Sequence, residues 1–253
     1  MIRLPRRLAA GGEATTVEHL EELRSRLIVA GGAVLLGTIV GYLAHHAILR
    51  LLIAQLPAGH RQLLTLGVTE PFVTSLKVSI AAGFALALPI VLWQLWSYFA
   101  PVFDARSQRT TTRFAVAAAA LMGFGMFFGY RIALPAALKF LTNYDNSIYN
   151  VQIRAADYIS FAVLVLAACG AVFELPIAVL GLVRVGALSS RKLRRNRRIG
   201  YMIVACIGVA LPGVDPVTTV VETLPLAVLY EAAIWLAVAF ERRWRRDAEL
   251  ALQ

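Results

Sequence analysis

One run of residues constrains this chain more than any other. From Ile159 to Val183 the sequence is almost wholly apolar over 25 residues, and a single charge, Glu174, stands inside it. A helix needs about 20 apolar residues to cross a bilayer, so this run is long enough to span one. Glu174 lies ten residues before Arg184, which places it about 15 Å of helix from the membrane surface that the arginine marks. A carboxylate at that depth is costly unless it is paired, protonated or wetted, and is a functional candidate for that reason. Pro176 removes a backbone donor two residues later and predicts a kink beside the charge. A protonated Glu hydrogen-bonded to a neighbouring helix is the simpler reading of the same residue.

Five further apolar runs accompany it: Leu27 to Ala47, Leu76 to Phe99, Phe114 to Tyr130, Ile199 to Leu211 and Val217 to Phe240. The run from Ile199 to Leu211 has only 13 residues and reaches about 20 Å. It reads as a short span because basic residues precede it and Pro212-Gly213 follows it. With 59% apolar residues in 253, the chain is expected to be one polytopic membrane domain over 1–253. The expected class is an all-α membrane protein with six transmembrane helices, the last two short. Residues 1–15 are a flexible basic segment and 16–26 an amphipathic cytoplasmic helix. Spans lie near 27–47, 76–99, 114–130, 159–183, 199–211 and 217–240, with a charged tail at 241–253. The short span predicts a thinned bilayer beside the last two helices.

The loop charges set the orientation. Of the 25 Lys and Arg residues, 19 fall in the segments that share a side with the N-terminus. By the positive-inside rule both termini are cytoplasmic. The net charge of +10 is thereby used up in topology and does not point to nucleic acid. The run from Arg191 to Arg198, with six basic residues in eight, reads as an anchor facing anionic lipid. Arg6-Arg7 is followed closely by no cleavable apolar segment, so no signal peptide is expected. Cys169 and Cys206 lie inside apolar runs, and His45, His46 and His60 have no ligand spacing. No metal, cofactor or enzymatic constellation is visible: there is no HExxH, no phosphate-binding glycine loop and no buried Ser/His pair.

Thr15-Thr16-Val17-Glu18 has capping-box spacing and predicts a helix start. The following HLEELRSRL places Leu20, Leu23 and Leu27 on one face, with Glu22 four residues before Arg26. From the residues alone this is a surface helix tied by ion pairs, with Glu22 facing water. The loop at 48–75 predicts a turn with short amphipathic pieces, and 131–158 the longest external loop, ordered as a cap. Gly125-xxx-Gly129 predicts close helix packing within the protein, and Trp93, Trp96 and Tyr98 mark a membrane interface. Glu231 lies ten residues before Glu241, at a depth similar to that of Glu174. The two carboxylates either flank one wet groove or each bonds locally.

The string HLEELRSRL before a first span resembles the amino-terminal signature of TatC, the signal-receptor subunit of the twin-arginine protein translocase. Further strings follow in that family's order: Thr69-Glu70-Pro71-Phe72, Leu88-Pro89, Trp93-Gln94-Leu95-Trp96-Ser97-Tyr98-Phe99-Ala100-Pro101, Phe173-Glu174-Leu175-Pro176, Pro212-Gly213-Val214-Asp215-Pro216 and Leu229-Tyr230-Glu231. The resemblance covers residues 17 to 240. It implies a multi-pass protein of a bacterial or archaeal cytoplasmic membrane that binds twin-arginine signal peptides of folded cargo. It implies no enzymatic activity, no cofactor and no nucleic acid. The implied partners are single-span proteins of the TatA/TatB kind, membrane lipid and further copies of the chain in a larger complex, driven by the proton-motive force.

Two guanidinium groups call for carboxylates or carbonyls in fork geometry. The family's first Glu falls on Glu22. Its second, in the first cytoplasmic loop, is replaced here: Asp104-Ala105-Arg106-Ser107-Gln108-Arg109 puts a neutral Gln108 at that position, which weakens the Coulomb part of recognition. Either Asp104 or Glu21 substitutes, or recognition is altered. Arg24, Tyr98 and Arg109 complete the implied signal-peptide site. From the residues themselves, Glu174 and Glu231 are the candidates for an intramembrane polar groove, and Asp215, Thr218, Thr219 and Glu222 those for the docking of a single-span partner. The rival function is a proton-coupled small-solute transporter using Glu174 and Glu231. That reading leaves HLEELRSRL without a role and finds no repeated halves.

Overall fold

In hydrocarbon every backbone polar group must find its partner within the segment, and apolar runs of this length therefore become helices. The computed structural model describes residues 16–99, 108–145, 147–148, 151–184, 186–212 and 215–250, with side chains except at 16–19, 96, 99, 108–111 and 242–250. The basic segment expected at 1–15 lies outside the described residues. Among these residues the fold is all-helical, and the only strand-like pairing is an isolated bridge between Leu64 and Arg154. Five helical segments are long and apolar enough to cross a membrane: Leu20–Leu43, Glu70–Leu95, Thr112–Asn143, Ala155–Arg184 and Pro216–Glu241. The chain divides into two compact units, residues 1–49 with 72–120 and residues 50–71 with 121–253.

In the first unit, α1 (Thr16–Leu43) is one continuous helix of 28 residues. The expected cytoplasmic helix and first span are therefore a single element, with no breaker between them. It lies against α3 (Glu70–Phe99) through small residues. A Cβ on Gly83 would run into the backbone of Thr38, and one on Gly41 would meet the Ser79 carbonyl at 2.6 Å. Van der Waals contact of this kind holds helices together where lipid removes the hydrophobic drive. The rest of α1 is open: Leu35, Leu36, Ile39, Val40 and Leu43 are all more than half exposed, as expected of a surface covered by lipid.

The second unit begins within α2 (His45–Ile53), at Arg50, and continues through a single 3-10 turn at Ala58–His60. These are the short amphipathic pieces expected of the first loop. The helix α4 (Gln108–Phe128) passes through a π-helical turn, Gly129–Ala133, into α5 (Leu134–Asn143). The apolar pattern ends this span at Tyr130 and predicts a loop from 131. The structure instead carries helix to Asn143: Pro135 falls in the first turn of α5, directly after the π-helical turn, and does not end the helix there. Gly125 faces the Cys169 carbonyl and Phe173, and Gly129 faces Cys169 and Leu166. The expected close packing is thus with α6 (Ala155–Phe173).

At Glu174 the long apolar run breaks into α6 and α7 (Leu175–Arg184). The backbone bonds bracket the break: Glu174 N–H donates to Ala171 O at 3.2 Å, and Ala178 N–H to Glu174 O at 2.9 Å. The short α8 (Ser190–Arg195) leads to α9 (Arg197–Ala210), whose 14 residues reach about 21 Å. The final helix α10 (Pro216–Leu250) has 35 residues and packs mainly on α7 and α9. It is not short. The Arg- and Glu-rich tail favours helix and extends α10 past its apolar part, so the expectation of two short final helices holds for α9 alone.

Candidate functional site

The amino-terminal signature places its carboxylate inside the protein. Glu22 is 7% exposed, and the expectation that it faces water is corrected. Arg26 Nε donates to Glu22 Oε1 at 3.0 Å, and Nη2 makes a second bond to the same oxygen. The i,i+4 pair foreseen in the sequence is present, but it reaches further: Arg26 Nη1 donates to Gln94 Oε1 on α3 at 3.3 Å. Ser25 Oγ caps the local backbone by donating to Glu22 O at 2.8 Å. Glu22 Oε2 is buried without a partner among the described residues. A carboxylate with one oxygen committed and one unsatisfied is under tension to take another donor.

Glu21 and Arg24 lie exposed on the same helix, and Tyr98, one turn beyond Gln94 on α3, is half-buried. Asp104 lies outside the described residues. Gln108 and Arg109 form the first turn of α4, and their side chains lie outside the described residues. Arg26 and Gln94 were missed as site residues. Both stand inside quoted strings, but only the fold shows that one arginine links α1 to α3.

The two intramembrane carboxylates part company. Glu174, half-buried at the α6–α7 break, has Oε1 buried without a partner among the described residues. Glu231 is occupied on both oxygens: Arg197 Nη2 lies 2.9 Å from Oε1, and Tyr201 OH donates to Oε2 at 2.7 Å. The same guanidinium sits 5.9 Å over the Trp235 ring. Of the two sequence readings for this pair, local bonding describes Glu231. No described bond joins it to Glu174.

The four docking candidates on α10 also separate. Asp215 is the helix cap, accepting from Thr218 N–H at 2.8 Å, while its own carbonyl accepts from Thr219 Oγ1 at 2.9 Å. Asp215, Thr218 and Glu222 are 3%, 0% and 3% exposed, so they face the interior of their unit. The outward stripe of this stretch is apolar, formed by Val217, Val220, Leu224 and Val228.

A carboxylate with no predicted role proves the most heavily bonded. Glu70 accepts from Arg154 Nε and Nη2 at 3.1 Å, and from the backbone N–H of Leu66 and Ala156 at 3.0 Å each. It ties the first loop to the start of α6, beside the bridge in which Leu64 bonds Ile153 and Ala155. The hydrogen bond and charge of Glu70 push the Arg154 guanidinium above its ordinary pKa.

These features define a polytopic helical membrane protein whose polar groups gather at helix ends and helix breaks. The TatC family model, described as Sec-independent protein translocase protein, matches residues 18–225. The chain belongs to the TatC family. It is 34% identical to the Sec-independent protein translocase protein TatC of Carboxydothermus hydrogenoformans, covering 88% of this chain and 92% of that one. With the TatC of Aquifex aeolicus it shares 31% identity over 89% and 95% of the two chains. A crystal structure described as the twin arginine translocase receptor TatC in DDM superposes with a TM-score of 0.77, at 31% identity over 87% of this chain and 99% of that one. The protein is therefore a multi-pass membrane component of a protein translocase.

Proposed function

We propose that this chain is the signal-receptor and core subunit of its translocase, with both termini in the cytoplasm. The observation that carries the reading is the state of Glu22: a buried carboxylate that one arginine holds to α3 and that keeps one oxygen unsatisfied. The paired arginines of a signal peptide supply the missing donors. The first guanidinium reaches Oε2, which Arg26 leaves free, as the carboxylate turns outward, and Arg26 keeps its bonds to Oε1 and Gln94. A guanidinium–carboxylate bond to a charged group is worth about 1.5–3 kcal/mol. Gln108, neutral, contributes an acceptor without the charge.

Downstream of recognition, Glu174 serves as the polar point of the membrane domain, neutral or wetted because an isolated anion there is too costly. Single-span partners meet the apolar outward stripe of α10, with Thr219 as the polar contact closest to the surface. The rival transporter reading loses its second carboxylate, since Glu231 is committed to Arg197 and Tyr201. Photo-crosslinking of a twin-arginine signal peptide to the purified protein tests the proposal. Crosslinks are expected for the wild type and lost in Glu22→Gln, an isostere that preserves packing where Glu22→Ala also strands Arg26. Undiminished crosslinking in Glu22→Gln overturns it.

A further inference from the structure

The stretch from the start of α7 to the end of the loop after α9 is unusual in its charge balance. From Leu175 to Val214 the sequence holds no Asp or Glu, yet it carries seven Lys and Arg residues. Six of them fall between Arg191 and Arg198. One of the six, Arg197, is used inside the fold, bound to Glu231 and laid over Trp235. Another carboxylate near this segment, Glu241, accepts from the Ser190 backbone N–H at 2.8 Å. The tail that follows Glu241 offers no surplus of negative charge, since residues 241–253 contain four Arg against three acidic residues.

The helix α8 orders part of this charge. Ser189 Oγ accepts from Lys192 N–H at 3.2 Å, and the Glu241 contact fixes the preceding amide. Leu193 is 8% exposed and roots the helix in its unit. At 100° per residue, Arg191 and Arg195 lie about 40° apart on the face opposite Leu193. Lys192 and Arg194 stand on the two flanks, and all four are exposed. Two arginines one turn apart repel and destabilise a helix unless an anion lies between them. Neither is in an ion pair among the described residues.

We propose that the Arg191–Arg195 face of α8 is a binding site for the phosphate of an anionic phospholipid headgroup. Two planar guanidinium forks on one face match the oxygens of a phosphodiester. The acyl chains have a surface ready for them: Ile199, Met202 and Ile203 in the first two turns of α9 are 53%, 61% and 53% exposed. Trp235, beside Arg197 and 62% exposed, belongs at the same headgroup level. A nucleic acid seated on α8 would meet this hydrocarbon-level surface within two turns, whereas a lipid uses both parts.

Native mass spectrometry of the full chain in detergent, given equal phosphatidylglycerol and phosphatidylcholine, tests the site. Wild type is expected to retain phosphatidylglycerol selectively. R191Q/R195Q is expected to lose this retention about 25- to 30-fold, taking about fivefold for each guanidinium at a membrane surface, with unchanged melting and phosphatidylcholine binding. K192Q/R194Q removes the same charge from the flanks of the same helix and is expected to cost less than a third of that loss. Equal losses in the two double variants overturn the site in favour of diffuse attraction. Displacement of the lipid by millimolar inorganic phosphate assigns the face to free phosphate, and tighter binding of an RNA oligonucleotide assigns it to nucleic acid. Either outcome overturns the headgroup proposal.

Discussion

Glu22 and Glu70 are both buried carboxylates held by an arginine, and they are bonded in opposite ways. Glu70 takes four donors from three residues, so both oxygens are filled. Glu22 takes its donors on one oxygen and leaves the other bare among the described residues. The arginines differ in the same sense. Arg154 serves Glu70, while Arg26 divides itself between Glu22 and Gln94. A filled carboxylate is a fastener, because any newcomer must break bonds to reach it. A half-filled one has a standing deficit that a ligand can meet at low cost. Burial and charge alone do not distinguish the two cases; the count of donors does.

Breaking the fastener is expected to have the largest effect. Glu70→Ala strips the partner from Arg154 and leaves the Leu66 and Ala156 amides unsatisfied, so the folded yield and the melting temperature should fall more than in any other single variant discussed. The fraction that folds should still crosslink signal peptide. Retention of the wild-type melting curve would show that the clamp is ornamental. Next in size, Glu22→Gln should weaken signal binding about tenfold or more, the value of one charge-assisted hydrogen bond, with a smaller change in melting. The two variants together thus exchange their readouts, one on stability and one on binding.

Glu174→Gln removes the charge from the carboxyl group at the α6–α7 break while keeping its shape. Export of a folded passenger in vesicles should fall severalfold with signal crosslinking intact; wild-type export would leave Glu174 a packing residue. The smallest effect is expected from Gln108→Glu, which puts a carboxylate in the first turn of α4. Signal binding should rise by about twofold to fivefold at low ionic strength and lose the gain above about 0.5 M salt. A gain insensitive to salt would mean that position 108 acts through shape.

The sequence made some of this legible and hid the rest for identifiable reasons. Long apolar runs declared the helices because backbone satisfaction in lipid leaves no other solution. The Glu22–Arg26 pair was readable because i,i+4 spacing is local. Its extension to Gln94 was not, because it joins residues 68 positions apart. The Glu70–Arg154 clamp spans 84 positions and had no periodic signal at all. The start of the expected loop, residues 131–143, misleads differently. It reads as loop because Arg131 and Pro135 interrupt the apolar pattern, yet an exposed arginine within the π-helical turn and a proline just after it are both compatible with helix. On α10, polar residues at 215, 218, 219 and 222 suggested an outward docking face. The helical phase instead turns Asp215, Thr218 and Glu222 inward, and polarity without phase pointed the wrong way.

The π-helical turn at Gly129–Ala133 also acts as a gear correction. Gly125, Gly129, Ala133 and Ala137 recur every four residues and are the line on which this part of the molecule is buried. On an ordinary α-helix a four-residue repeat drifts about 40° at each step, and by the third step the line would have swung about a third of the way round. The wider turn advances less per residue and takes back part of that swing, so glycine and alanine stay aligned across the junction. Removing one residue from it would restore regular hydrogen bonding and throw the two halves of the rod out of time with each other.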